Sequence, residues 1–326
     1  MGCKYTKPTL PKKPKPVKRI ARLVMKNQEE FGKLFSKFDI DQELTQVNGV
    51  RLNALALALW YGKTKSFVAL LGLEASLVKM HSLLSEHKVA AINLICKNGY
   101  LDILQHYLPY YEKHFQGACC QGNFTQEAGV TPIQVACYFH QTAIVKYLYK
   151  YFEKHPQVPF EFDVHYKNEL NWENCALISA RVADFELIQF LHYECGADFH
   201  ILNKNQENAI QVCLAKKSDT QVLDCVKYLV EEAKVDITHL YEETLLLSSC
   251  ELLTNFIEVQ LKFRGIDATK AQVEKYNCLE LQNTPDLTKL TFESQLEEPK
   301  PKIPEELSLI HENTSNTSTS FLSQIL

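Results

Sequence analysis

Glycine is scarce in this chain, 11 in 326 residues, against a hydrophobic share of 46%. That composition excludes a low-complexity or wholly disordered protein, because there is ample apolar surface to bury. No stretch of eighteen consecutive apolar residues occurs, so no segment reads as a membrane span. No signal-peptide pattern opens the chain either. The 11 cysteines include no Cys-x-x-Cys pair. Cys96, Cys137 and Cys213 fall among small apolar residues, the usage expected of free thiols in a reducing compartment. Also missing are a glycine-rich phosphate loop, Gly-x-Ser-x-Gly, His-Glu-x-x-His and a calcium-binding loop. Adjacent Cys119 and Cys120 with His114 lack the ligand spacing of structural zinc. Glu242-Glu243 reads as charge that complements a helix dipole, and the 11 histidines show no pairing. The sequence thus supplies no catalytic set, no metal ligands and no cofactor motif, and an enzyme is not expected.

What is present is repetition. In Gly129-Val130-Thr131-Pro132-Ile133-Gln134-Val135-Ala136-Cys137, proline sits in the first turn of a helix, where its missing N–H costs nothing. A polar break at His140-Gln141-Thr142 separates it from a second helix carrying Ile144, Val145, Tyr147 and Leu148. The second-helix pattern recurs at Phe67–Leu71, Leu187–Leu191 and Cys225–Leu229. The first-helix pattern recurs at Asn53–Ala58, Ala90–Ile95, Cys175–Leu177 and Asn208–Ile210. Short helices of this kind bury their apolar faces only by stacking on neighbours. The pattern resembles the ankyrin repeat, Gly-x-Thr-Pro-Leu-His-x-Ala followed by a glycine break and an aliphatic second helix ending Gly-Ala-Asp. Thr-Pro is retained only at Thr131-Pro132, the ending only at Gly196-Ala197-Asp198, and the break glycine at Gly62 and Gly99.

Met1-Gly2-Cys3-Lys4-Tyr5-Thr6 fits the N-myristoylation pattern, with Cys3 placed for a second, palmitoyl chain. One myristoyl chain holds a membrane only marginally, so a further signal is required. Cys3 offers one. The other is the acid-free basic run of Lys4, Lys7, Lys12, Lys13, Lys15, Lys18, Arg19, Arg22 and Lys26, each worth about 1 kcal/mol near an anionic leaflet. Pro8, Pro11, Pro14 and Pro16 keep this arm extended. The body beyond it is more acidic than the whole-chain net charge of −4. Nucleic acid is the weaker reading for the arm, since Tyr5 is its one stacking residue.

Aligned on the Thr-Pro position, repeats start at Asn53, Ala90, Thr131, Cys175, Asn208 and Thr244, most of them further apart than the ankyrin period of about 33 residues. The excess falls between repeats, chiefly at 116–127 and 155–171. Apolar residues from Val17 to Phe38 recur at helical spacing, either as a membrane-lying amphipathic helix or as an N-terminal cap, and the turn-like Asp39-Ile40-Asp41 favours the cap for the Phe31–Phe38 half. Glu243–Gly265 reads as a C-terminal capping helix pair, and 268–326 as a mostly disordered tail. The fold expected is all-α: an ankyrin-type helical repeat solenoid over 17–267, preceded by a basic, Pro-rich arm at 1–16. The resemblance implies recognition through finger tips and first-helix ends, which places Trp60, Tyr61, Lys97, Asn98, Tyr138, Phe139 and Trp172 on a partner-binding face. The same alignment puts Val182-Ala183 and Ala215-Lys216 at exposed first-helix ends, and Leu52, Val130, Asn171, Asn174, Lys204 and Glu207 in fingers. Function is then expected to be that of a membrane-tethered adaptor for an unidentified protein, on the cytoplasmic side of an anionic membrane. The alternative is a soluble subunit that inhibits or positions an enzyme through the same surface.

Overall fold

The structure is a computed structural model that describes residues 15–35, 38–87, 89–115, 129–154, 163–215, 222–248 and 250–268. The chain is helix-rich, with one two-stranded sheet among the described residues, and divides into two compact units, residues 1–124 and 125–326.

The first unit opens with α1 (Lys15–Met25), whose Val17, Ile20 and Val24 are buried as it packs on α3 (Ala54–Trp60). That packing takes up the apolar stripe a membrane-lying helix would need. After α2 (Gly32–Phe35), strands β1 (Thr45–Val47) and β2 (Val50–Leu52) form an antiparallel hairpin, an addition to the all-α expectation. Its cause is local. Asn48 and Gly49 both have positive φ, 48° and 85°, the geometry of a type I′ turn that Asn-Gly favours and that matches strand twist. α3 and α4 (Thr64–Gly72) form a helix pair broken at Gly62. With φ +61° and Tyr100 ring atoms 2.5 Å from where a Cβ would sit, only glycine fits there. A further helix, α5 (Leu77–Ser85), packs on α3 and β2. It fills the first long interval between repeats with ordered core, burying Leu77, Met80, Leu83 and Leu84. The unit's described part ends with the pair α6 (Ala91–Asn98) and α7 (Leu101–Phe115).

The second unit is built from α8 (Pro132–Tyr138), α9 (Thr142–Lys154), α10 (Cys175–Arg181), α11 (Phe185–Tyr193), α12 (Ala209–Leu214), α13 (Val222–Glu231), α14 (Tyr241–Leu247) and α15 (Glu251–Phe263). The first helix of each pair packs on the next, α8 on α10, α10 on α12 and α12 on α14; α9, α11, α13 and α15 run beside them in the same order. The first helices are short and buried nearly all round, so their stability comes from packing rather than from propensity. Two repeat starts are corrected. α8 and α12 are capped as aligned, by Thr131 and Asn208, but α10 is capped by Asn174 and α14 by Leu240, not by Cys175 and Thr244. Asn174 has the extended backbone and side-chain acceptor that favour a cap, which a cysteine supplies poorly, whereas Leu240 caps α14 from a left-handed backbone with no side-chain bond.

Candidate functional site: the finger turns of the second unit

Three turns recur where each second helix returns to the next first helix. Asp163-Val164-His165, Asp198-Phe199-His200 and Asp236-Ile237-Thr238 each bury the middle residue. In each, the aspartate Oδ1 accepts the backbone N–H two residues on, at 2.8, 2.8 and 2.9 Å. Three of the first helices are preceded by a left-handed residue, a spacer and a helix cap: Gly129-Val130-Thr131, Trp172-Glu173-Asn174 and Gln206-Glu207-Asn208, with φ of 65°, 60° and 62° at the first positions. The last two follow the Asp163 and Asp198 turns, whereas the Asp236 turn leads to Leu240, left-handed and itself the cap of α14. Trp172 and Gln206 thus stand where the best-preserved repeat has glycine. A left-handed backbone costs a non-glycine residue roughly 1–2 kcal/mol, which for an indole is an outlier calling for a reason.

The caps stitch neighbouring turns together. Asn174 Oδ1 accepts from Leu177 N at 3.0 Å while its Nδ2 donates to Asp198 O at 3.0 Å. Asn208 Oδ1 accepts from Gln211 N at 3.1 Å while its Nδ2 donates to Asp236 O at 2.8 Å. Gln134 donates to Tyr166 O at 2.8 Å and Glu173 O at 3.2 Å; Gln211 occupies the equivalent place and donates to His239 O at 3.3 Å. Buried Asn168 and Asn203 hold the two inner turns, accepting from Asn171 N and Glu207 N at 3.0 Å each.

Next to Trp172 in the chain, Glu173 heads a charge network. The Glu173 side chain is fully buried, and its two oxygens share the single Arg181 Nε–H at 2.9 and 3.1 Å, with a second donor from Nη2. Glu207 Oε2 stands 3.9 Å from the same guanidinium. Tyr138 donates its hydroxyl to Glu173 Oε2 at 3.2 Å, and burial together with the Glu173 charge pushes its pKa up. The Trp172 side chain is 52% exposed, and Lys204 Nζ lies 5.8 Å from its ring centroid while also donating to Glu169 O. A cation above an indole face is an attractive arrangement.

The expected partner residues therefore separate by unit. In the second unit Trp172 is exposed, Phe139 is half-buried as the C-cap of α8, and Tyr138 is half-buried with its hydroxyl spent on Glu173. In the first unit Trp60 and Tyr61 end α3 half-buried; Lys97 is half-buried, its pKa lowered by burial, and Asn98 is at the surface. Leu52, Val130, Asn174 and Ala183 were expected at exposed finger or helix-end positions and are corrected: all four are buried. Leu52 and Val130 anchor their turns in the core, Asn174 is a cap, and Ala183 (φ 53°) takes the left-handed break position. His140, at φ 56°, does the same one repeat earlier. Of the basic arm, Lys18 and Arg19 lie exposed on α1 and Lys15 is its first residue. Gly2, Cys3, Lys4, Lys7, Lys12 and Lys13 lie outside the described residues, as do Cys119, Cys120 and Lys216 and nearly all of 268–326.

Sequence reasoning missed Glu173, Arg181, Asn168 and Asn203. The recurring Asp-apolar-His/Thr triplet was the available signal for the turns; the Glu173–Arg181 pair had none, since eight residues and a turn separate them. Among the described residues no group of three or more His, Cys, Asp or Glu is placed to hold a metal ion, and no helix is long and apolar enough to cross a membrane. No protein-family model matches the chain, and comparison with curated proteins gives no match either.

Proposed function

We propose that this chain is an ankyrin-type repeat protein that recognises a protein partner through its finger turns and is tethered to an anionic membrane by acylation at Gly2 and Cys3. The observation that carries the recognition half is Trp172. It is a large, exposed aromatic held in a backbone conformation that disfavours it, at the position where glycine would relieve the strain, with the buried Glu173–Arg181 pair beginning at the next residue. A rigid aromatic with a cation beside it is the usual anchor of a protein interface and loses little entropy on binding. Phe139 and Lys204 supply further contact area in the same unit, and Trp60, Tyr61, Lys97 and Asn98 form a separate candidate set in the first unit. The tether rests on the Gly2-Cys3 signal and the acid-free basic run.

Trp172→Gly tests the recognition half. Glycine removes the left-handed strain but adds chain entropy, so the melting midpoint should hold within about 1 kcal/mol of stability. Loss of the anchor should weaken partner capture roughly thirtyfold. Capture that is unaffected by Trp172→Gly would end this reading.

A further inference from the structure

The last helix of the second unit carries two apolar stripes. Leu253, Ile257 and Leu261 of α15 are buried against α13 and α14. On another side Leu252, Phe256, Val259 and Phe263 recur at i, i+4, i+7 and i+11, within one narrow band of the helix surface. Leu252 is 70% exposed, Val259 51% and Phe263 82%. Phe256 is half-buried. Single exposed apolar residues need no explanation, but three in one stripe on one short helix do.

The stripe is its own complement. Reversing the helix about the midpoint between Ile257 and Glu258 places Leu252 opposite Phe263 and Phe256 opposite Val259. A second α15 laid antiparallel on the first therefore brings a large residue against a smaller one in every layer. The charges follow the same symmetry. Glu251 and Lys262 are exposed on one flank of the stripe, at opposite ends of the helix. A two-fold axis perpendicular to the pair sets residues of one flank beside the same flank of the partner, so Glu251 meets Lys262 of the second copy, twice. Within one chain the two are eleven residues apart, about 16 Å along the axis, too far for a side-chain pair.

We infer that α15 is an isologous dimerisation helix, pairing antiparallel with α15 of a second copy through Leu252, Phe256, Val259 and Phe263 and two symmetric Glu251–Lys262 contacts. This stands independently of the recognition and tethering proposals. An interface between two helices of this length is small, so the dimer is weak and concentration-dependent. Crossing near 20° with about 8–10 Å between axes accommodates such side chains.

Sedimentation velocity of the full chain across a concentration series reads the association directly. The wild type should pass from monomer to dimer as concentration rises, and Phe263→Asp should remain monomeric with its helical circular dichroism unchanged. Glu251→Lys and Lys262→Glu should each weaken association roughly tenfold, because attraction becomes repulsion at two places. The double variant, Glu251→Lys with Lys262→Glu, should recover it. That rescue separates a specific antiparallel pair from non-specific sticking. A full chain that stays monomeric at every concentration overturns the proposal, whether the stripe is covered by residues of 269–326 or by nothing. So does a dimer indifferent to Phe263→Asp, or a double variant as weak as either single one.

Discussion

Glu173 shows how much a single side chain can depend on its neighbour. Its carboxylate is sealed from water and held by the Nε and Nη2 donors of Arg181. Removing the guanidinium strands a buried charge. Arg181→Met should cost about 3 kcal/mol, the low end for a broken buried pair because Arg181 keeps 33% of its side chain exposed. Adding Glu173→Gln should recover much of the loss, since a neutral amide can still accept from Tyr138; urea titrations of the single and double variants measure both. A second residue sets a pH dependence. His81 Nε2 lies 2.9 Å from the Tyr107 hydroxyl, and burial lowers its pKa to about 4 from 6.5. The folded state therefore resists a proton that the unfolded chain accepts. Above pH 6.5 neither state is charged and nothing is lost; as pH falls from 6.5 toward 4, stability drops. About 2 kcal/mol should disappear between pH 7.5 and 5. His81→Gln should flatten that part of the stability–pH curve, and an unaltered slope would show that other groups set it.

At the scale of the helix, asparagine is the recurring cap. Asn53, Asn174 and Asn208 each accept a backbone N–H from the first turn, the work threonine does in the ankyrin pattern. They differ in what the amide nitrogen meets. Asn174 Nδ2 bonds Asp198 O across to the next turn, whereas Asn53 Nδ2 is buried without a partner. Threonine keeps a capping oxygen and discards the nitrogen. Asn53→Thr should accordingly be neutral within about 0.5 kcal/mol or stabilising, while Asn174→Thr should cost about 1 kcal/mol or more. Equal effects in thermal melts would mean the bond between turns contributes nothing. The helices legible in the sequence were those whose periodicity and caps are local: Asn53, Ala90, Thr131 and Asn208 all precede helices where the alignment placed them. α5 was not, because its segment lies between repeats and matched neither half of the pattern. The β1–β2 hairpin was signalled by Asn48-Gly49 but hidden among the repeat starts.

For the molecule as a whole, the proposed tether makes location depend on one residue. Gly2→Ala removes the acyl-acceptor amine and should shift the protein to the soluble fraction, because attraction by the basic run alone is screened beyond about 8 Å at physiological salt. Cys3→Ser should give an intermediate distribution, one chain plus charge. Intact-mass measurement of the native protein provides the check, and an unmodified N-terminus would leave the soluble regulatory reading. Lys18 and Arg19, exposed on α1, extend the basic surface into the folded part. The apolar stripe of α1 is already committed to α3, so insertion of this helix is not available as a substitute for the acyl chains.

The sequence by itself determined the helix pairs, most of their caps and the break at Gly62, because spacing, capping and glycine geometry are properties of a few consecutive residues. It also brought Trp172 forward as a finger residue. Only the tertiary structure decided which ordinary residues take glycine's left-handed place: His140, Ala183, Trp172 and Gln206. It alone showed that Leu52 and Val130 point into the core and that Glu173 is buried against Arg181 rather than solvated. The reason is physical. A residue's backbone strain and the burial of its charge depend on what the neighbouring helices and turns present to it, and no local pattern carries that information.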